Sequence, residues 1–183
     1  AAPSGSTPYL VGGELRYTLD GQQSVIPLSP AAITVLPEPS LTVRYFHQRD
    51  VFSDDPHTTE IEPAIPYALG MIVHNTGAGA ARNVRVTSAQ PEIVDNEKGL
   101  LIDFQLIASE VAGQNLTPSL TVQLGDIPPG TNAIARWLFT SSLQGLFIDY
   151  SATFEHLDGL GNPQLSLIDA VEIHEMNHVV LAA

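Results

Sequence analysis

Cysteine is absent, and lysine occurs once, at Lys98, in a chain of 183 residues. Without thiols there can be neither disulfides nor thiolate metal sites, so a disulfide-stapled fold and a Cys-ligated zinc centre are both excluded. Basic side chains number 7 against 20 acidic ones, a formal charge of −13. Nucleic-acid binding needs a basic face to neutralise phosphates, and none can be assembled here. An anionic membrane surface would be repelled for the same reason. No apolar run reaches the roughly 20 residues that a membrane-crossing helix requires. Charged residues make up only 15% of the chain, too few to dress the exposed faces of many helices. The acidic balance suits solubility and cation binding outside the cell, so the expected location is extracellular or at the cell surface.

What is present reads as all-β. Hydrophobic residues make up 44% and recur in short runs punctuated by 14 Gly and 14 Pro, as many strands joined by turns would require. Strands are expected at 14–19, 24–28 and 32–36, with a hairpin turn at Asp20-Gly21. Leu15, Tyr17 and Leu19 share one face, with Val25 and its neighbours opposite. Two or three strands cannot close a core alone. Pro37-Glu38-Pro39 then stiffens the chain and forbids ladder donation. The expected organisation is therefore 1–36 as N-terminal strands, the end of a preceding repeat or an assembly arm, 37–39 as a Pro-rich junction, and 40–183 as the main domain. Strand-like runs within it lie at 40–46, 67–73, 84–86, 100–107, 120–124, 133–139, 147–154 and 165–181, a number and spacing suited to a two-sheet Greek-key sandwich.

Two segments sharpen this reading. Asn75-Thr76-Gly77 through Ala81-Arg82-Asn83-Val84-Arg85-Val86 resembles the crossing between adjacent strands of immunoglobulin-like (CARDB-like) adhesion repeats of large prokaryotic surface proteins. Ile127-Pro128-Pro129-Gly130 followed by Trp137 resembles the turn before a core strand in the same repeats. The resemblance spans about 40–181 and implies an immunoglobulin-like Greek-key β-sandwich that acts as a scaffold without a chemistry of its own.

Several motifs invite a more specific function. His174-Glu175-Met176-Asn177-His178 satisfies H-E-x-x-H, in which two histidines one helical turn apart hold zinc and the glutamate activates a bound water. Its flanks, Val171 and Ile173 before and Val179 to Leu181 after, are β-branched and apolar and favour a strand. In a strand His174, Met176 and His178 share a face while Glu175 points away. The loop 50–63 gathers Asp50, Asp54, Asp55, Glu60 and Glu62 within thirteen residues, oxygen ligands of the kind calcium takes, without the spacing of an EF-hand. Gly77-Ala78-Gly79 begins like a dinucleotide-binding loop, but Arg82 stands where the third glycine belongs and a strand follows, so a flexible turn is expected. Asn115-Leu116-Thr117 is a glycosylation sequon on an expected loop. Trp137 alternates with Ala135 and Phe139 and is expected in the core. His47, His57, His74 and His156 are scattered.

The function expected from these residues is non-enzymatic. The chain reads as a structural or adhesive module, a repeat or subunit of a surface appendage or filament, meeting neighbouring repeats or subunits by β-strand contacts. A zinc-dependent hydrolase built on His174, Glu175 and His178 is a second reading, and a carbohydrate-binding sandwich with exposed aromatics in a groove is a third.

Overall fold

The computed structural model describes residues 3–88, 91–92, 103–146, 149–150, 153–155 and 167–176. Among them there is no helix. The strands are β1 (Thr7–Leu19), β2 (Gln22–Val35), β3 (Leu41–Gln48), β4 (Asp50–Val51), β5 (Tyr67–Asn75), β6 (Ala81–Ser88), β7 (Pro91–Glu92) and β8 (Phe104–Val111). They continue with β9 (Gln114–Leu116), β10 (Val122–Ile127), β11 (Asn132–Ser141), β12 (Gly145–Leu146), β13 (Asp149–Tyr150), β14 (Thr153–Glu155) and β15 (Ile168–Met176).

The main body is a β-sandwich. Its larger sheet runs β15-β3-β5-β11-β8-β9 and its smaller sheet β10-β6-β14. Strand β5 explains why a layered core forms: Tyr67, Leu69, Met71, Val73 and Asn75 are buried in strict alternation with half-exposed neighbours, the period of a sheet with one face turned inward. On its partner β11 the buried residues are Ala135, Trp137, Phe139 and Ser141. Leu41, Val43 and Tyr45 of β3 extend this face, and Val84, Val86, Val122 and Ile127 cover it from the smaller sheet, all within one core cluster. Trp137 lies at its centre, fully buried, and its indole N–H donates to the Ser119 carbonyl at 3.0 Å. That bond satisfies the one polar atom the ring brings inside.

Strand β15 adds to β3 in parallel, pairing Glu172 with Arg44 and His174 with Phe46. The Arg44 guanidinium donates to Glu172 at 2.7 Å, and the His174 ring stacks on Phe46 with centroids 4.9 Å apart. Arg44, more than His174, holds the Glu172 carboxyl below its ordinary range. The pair thus contributes above the usual carboxylate pKa and is lost as pH falls through the lowered value. Both groups face solvent, so its share of stability is small.

Residues 7–35 form a separate two-stranded sheet, β1 with β2. In place of three short strands there are two long ones, extending about 40 Å at roughly 3.3 Å per residue. Asp20 and Gly21 turn the hairpin with φ of 50° and 80°, both positive as a type I′ turn demands. The register shifts once: Val11 faces Ala31, whereas Gly13 faces Leu28. Ser29 and Pro30 together therefore oppose Gly12, which is a β-bulge.

This bulge decides what the arm presents. Along β2 the apolar parity switches from even positions, Ile26 and Leu28, to odd ones, Ala31, Ile33 and Val35. The extra residue brings both sets onto the face that carries Tyr9, Val11, Leu15, Tyr17 and Leu19 of β1. Ile26 and Leu28, and not Val25, are thus the partners of the Leu15 face. Val25 pairs with Arg16 on the other side, where Arg16 also bonds Glu14 at 3.0 Å. The arm is thus asymmetric: one face is almost wholly apolar, and the other mixes Glu14, Arg16, Thr18, Gln23 and Thr34 with the exposed Leu10 and Val25.

Candidate functional site

The junction between arm and sandwich is fastened, and Asn75 is its fastener. The side chain, wholly buried, donates through Nδ2 to the carbonyls of Gly79 and Ile127, both at 2.8 Å. Its Oδ1 accepts from the backbone N–H of Ser40 and of Gly77. Its own backbone N–H donates to Thr131 and its carbonyl accepts from Gly130. One residue therefore ties the end of β5, the turn 128–131 and the chain leaving the arm. In that turn Pro129 and Gly130, with φ 69° at the glycine, occupy the central positions that a type II turn assigns to proline and glycine. The two segments that looked like separate motifs are halves of one fastening.

Gly77 and Gly79 complete it. Thr76 N–H donates to the Ser40 carbonyl at 2.8 Å and Gly79 N–H to the Glu38 carbonyl at 3.0 Å, so the backbones lie in contact. A Cβ on Gly79 would sit 2.0 Å from the Pro37 oxygen, and one on Gly77 would sit 2.3 Å from the Ser40 nitrogen. The segment expected to be a flexible turn is instead a close backbone-to-backbone clamp, which needs glycine because no side chain fits.

Beyond the clamp the arm's apolar face is uncovered. Tyr9, Val11, Leu15, Tyr17, Leu19, Ile26, Leu28, Ile33 and Val35 are each 36 to 64% exposed, and among the described residues β1 and β2 pair only with each other. Taking the two tyrosines at about 200 Å² and the seven aliphatic side chains at roughly 120 Å² each, about half of it exposed, the apolar surface left in water is about 600 Å². That exceeds the few hundred Å² that monomers ordinarily expose in one patch. The alternation at 14–19 gave part of this face away in the sequence. Tyr9 and Val11 were cut off from that run by Gly12-Gly13, and the second half of β2 was hidden by the change of parity at Ser29-Pro30.

The acidic loop is organised by its own backbone. Asp54 accepts from the Glu62 N–H and Glu62 from the Asp55 N–H, each at 3.0 Å, while Asp55 accepts from the His57 N–H at 2.9 Å. Asp54 and Glu62 are thereby tied across the loop, while the Asp55 carboxylate is held by His57. Asp50 lies apart in β4, and Glu60 is exposed. Among the described residues no group of three or more His, Asp or Glu converges as metal ligands would. The expected result of a thermal melt is the same midpoint in millimolar calcium and in EDTA. A rise that grows with calcium concentration, as linkage requires of a ligand bound only by the folded state, would show that a cation gathers these carboxylates.

Of the H-E-x-x-H segment, His174, Glu175 and Met176 lie in β15. His174 faces Phe46 and approaches Glu172 at 3.5 Å, and Glu175 pairs with Arg49 at 3.5 Å. His178 and His156 lie outside the described residues. Asn115 sits, exposed, in the short edge strand β9 and not in a loop. The exposed aromatics among the described residues, Tyr9, Tyr17 and Phe52, do not line a common groove, since both tyrosines lie on the arm's flat face. Comparison with protein-family models, with curated proteins and with solved structures found no match.

Proposed function

We propose that the chain is a non-enzymatic structural and adhesive module of the cell exterior, a repeat or subunit of a surface appendage or filament, which engages its neighbours through the N-terminal arm. The observation that carries this reading is the continuous apolar face of β1 and β2, extended clear of the sandwich core. A two-stranded ribbon with one apolar face is marginal in water by itself, and covering that face on another polypeptide is what would stabilise it. The clamp at Asn75, Gly77 and Gly79 supports the same reading, because it joins the arm to a sandwich at a fixed point. The charge of −13 keeps the sandwich soluble, and the lack of thiols suits a module that needs no reducing compartment.

The experiment replaces two apolar-face residues, Leu15→Asp with Ile26→Asp, and compares Val25→Asp on the opposite face. Burying each aliphatic side chain is worth about 1.5–3 kcal/mol, so self-association or partner binding should weaken at least about a hundredfold in the double variant. It should persist in Val25→Asp. Equal behaviour of the two variants would show that the apolar face is not the docking element.

A further inference from the structure

We propose that the arm's partner is the arm of a second copy of this chain, packed apolar face to apolar face and antiparallel about a two-fold axis level with Gly13 and Leu28. This rests on the reading of the arm as a docking element and names its occupant. Area is the first argument. About 600 Å² per partner, roughly 1,200 Å² for the pair, reaches the lower end of specific interfaces, so two such faces suffice for a dimer, whereas β15 offers only Val171 and Ile173 as exposed apolar side chains.

Charge is the second argument. Residues 1–36 carry Glu14 and Asp20 against Arg16, a net −1, which leaves −12 of the chain's −13 on the remainder. Two sandwiches of that charge repel one another, and arm-to-arm contact keeps them apart. Antiparallel arms place the sandwiches at opposite ends of the pair, whereas parallel arms would set them side by side.

Shape is the third argument. The facing pairs of the ribbon form rows: Tyr9 with Ile33, Val11 with Ala31, Gly13 with Leu28, Leu15 with Ile26, and Tyr17 with Ser24. Turning one arm about the axis lays β1 over β1 and β2 over β2 with the rows reversed. Along β2 Ile33 then meets Ser24 of the other copy and Ala31 meets Ile26, large against small, and along β1 Tyr9 meets Tyr17 and Val11 meets Leu15, apolar against apolar, in sheets about 10 Å apart. Leu28 meets its own counterpart, and Gly13 beside it leaves the room.

Edge pairing is the weaker alternative. The two-residue turn makes Leu19 and Gln22 a hydrogen-bonded pair. Counting back, Glu14 and Pro27 form a non-bonded one. Pro27 therefore removes an outward N–H from the free edge of β2.

The absence of cysteine from the chain makes the test direct. Facing Cα atoms of sheets about 10 Å apart are too distant for a disulfide, so the probe is a short thiol-reactive bismaleimide, with which the full chain carrying Leu28→Cys should form a covalent dimer. Leu19→Cys alone should not, because the tip of one arm lies over Thr7 of the other, and a mixture of Leu19→Cys with Thr7→Cys should cross-link. If Leu19→Cys cross-links with itself, the arms are parallel and the proposal is overturned. If the wild-type chain associates but Leu28→Cys stays unlinked, the occupant is something other than a second arm, and loss of that association in the Leu15→Asp, Ile26→Asp variant then shows that the arm still docks. A wild-type chain that does not self-associate, with none of the cysteine variants cross-linking, overturns this inference, and partner binding that is sensitive to Leu15→Asp would then leave the docking reading standing by itself.

Discussion

Asn75→Ala is expected to lower the stability of the sandwich by about 3–4 kcal/mol, among the largest effects of any single substitution here. The side chain makes four hydrogen bonds in a fully buried setting. Each is worth about 0.5–1.5 kcal/mol net, and a buried group left without its partner costs more than the mean. Removing the amide strands the carbonyls of Gly79 and Ile127 and the N–H groups of Ser40 and Gly77 together. For a chain of this length the midpoint of thermal unfolding should fall by about 10 °C. Asn75→Asp is informative because it keeps the two accepted bonds while losing both donors. It should also be destabilising, since it directs a carboxylate at two carbonyl oxygens. A loss below about 1 kcal/mol for Asn75→Ala would mean that the fastening is not formed in solution.

The second large effect is steric. Gly79→Ala would place a methyl 2.0 Å from the Pro37 oxygen and 2.7 Å from its carbonyl carbon. Both are backbone atoms, so no side-chain rotation relieves the clash. Either the clamp opens, breaking the bond from Gly79 N–H to the Glu38 carbonyl, or the backbone shifts at a cost of about 1–3 kcal/mol. Gly70→Ala is the matched control. Its methyl would meet Phe46 Cβ at 3.6 Å, an ordinary contact, and in mid-strand the change should be neutral or slightly stabilising. Chemical denaturation of the two variants checks this. Equal midpoints would refute the clamp.

These two residues also show why the sequence disclosed some features and concealed others. The strands of the sandwich were legible because their apolar residues alternate, as in 67–75 and 133–139, and because Trp137 falls in phase with Phe139. The turn at Asp20-Gly21 was legible because few dipeptides tolerate two positive φ values. The clamp was not, since the space that excludes a Cβ at Gly79 is made by residues some forty positions earlier, and local pattern carries no trace of them. The Gly-Ala-Gly segment therefore read as slack when it is tight. The arm was half legible. Its alternation showed strands, but the parity change across Ser29-Pro30 looked like a break between two short strands. Only pairing with β1 turns that break into a bulge and gathers the apolar residues onto one face. The acidic loop carried a composition signal without geometry. Its carboxylates are placed by the N–H groups they accept from, which spacing alone does not reveal.

The most direct measurement of the central claim is the molar mass of the whole chain across a dilution series, by sedimentation equilibrium or light scattering, at low and at physiological salt. Association through an uncharged apolar face, opposed only by repulsion between acidic sandwiches, should strengthen as salt screens that repulsion. The account predicts a mass that rises above 19.6 kDa with concentration, more steeply at higher salt, and that stays at the monomer value in the Leu15→Asp, Ile26→Asp variant. A mass of 19.6 kDa at every concentration and salt, together with no effect of the double variant on binding any partner, would contradict it.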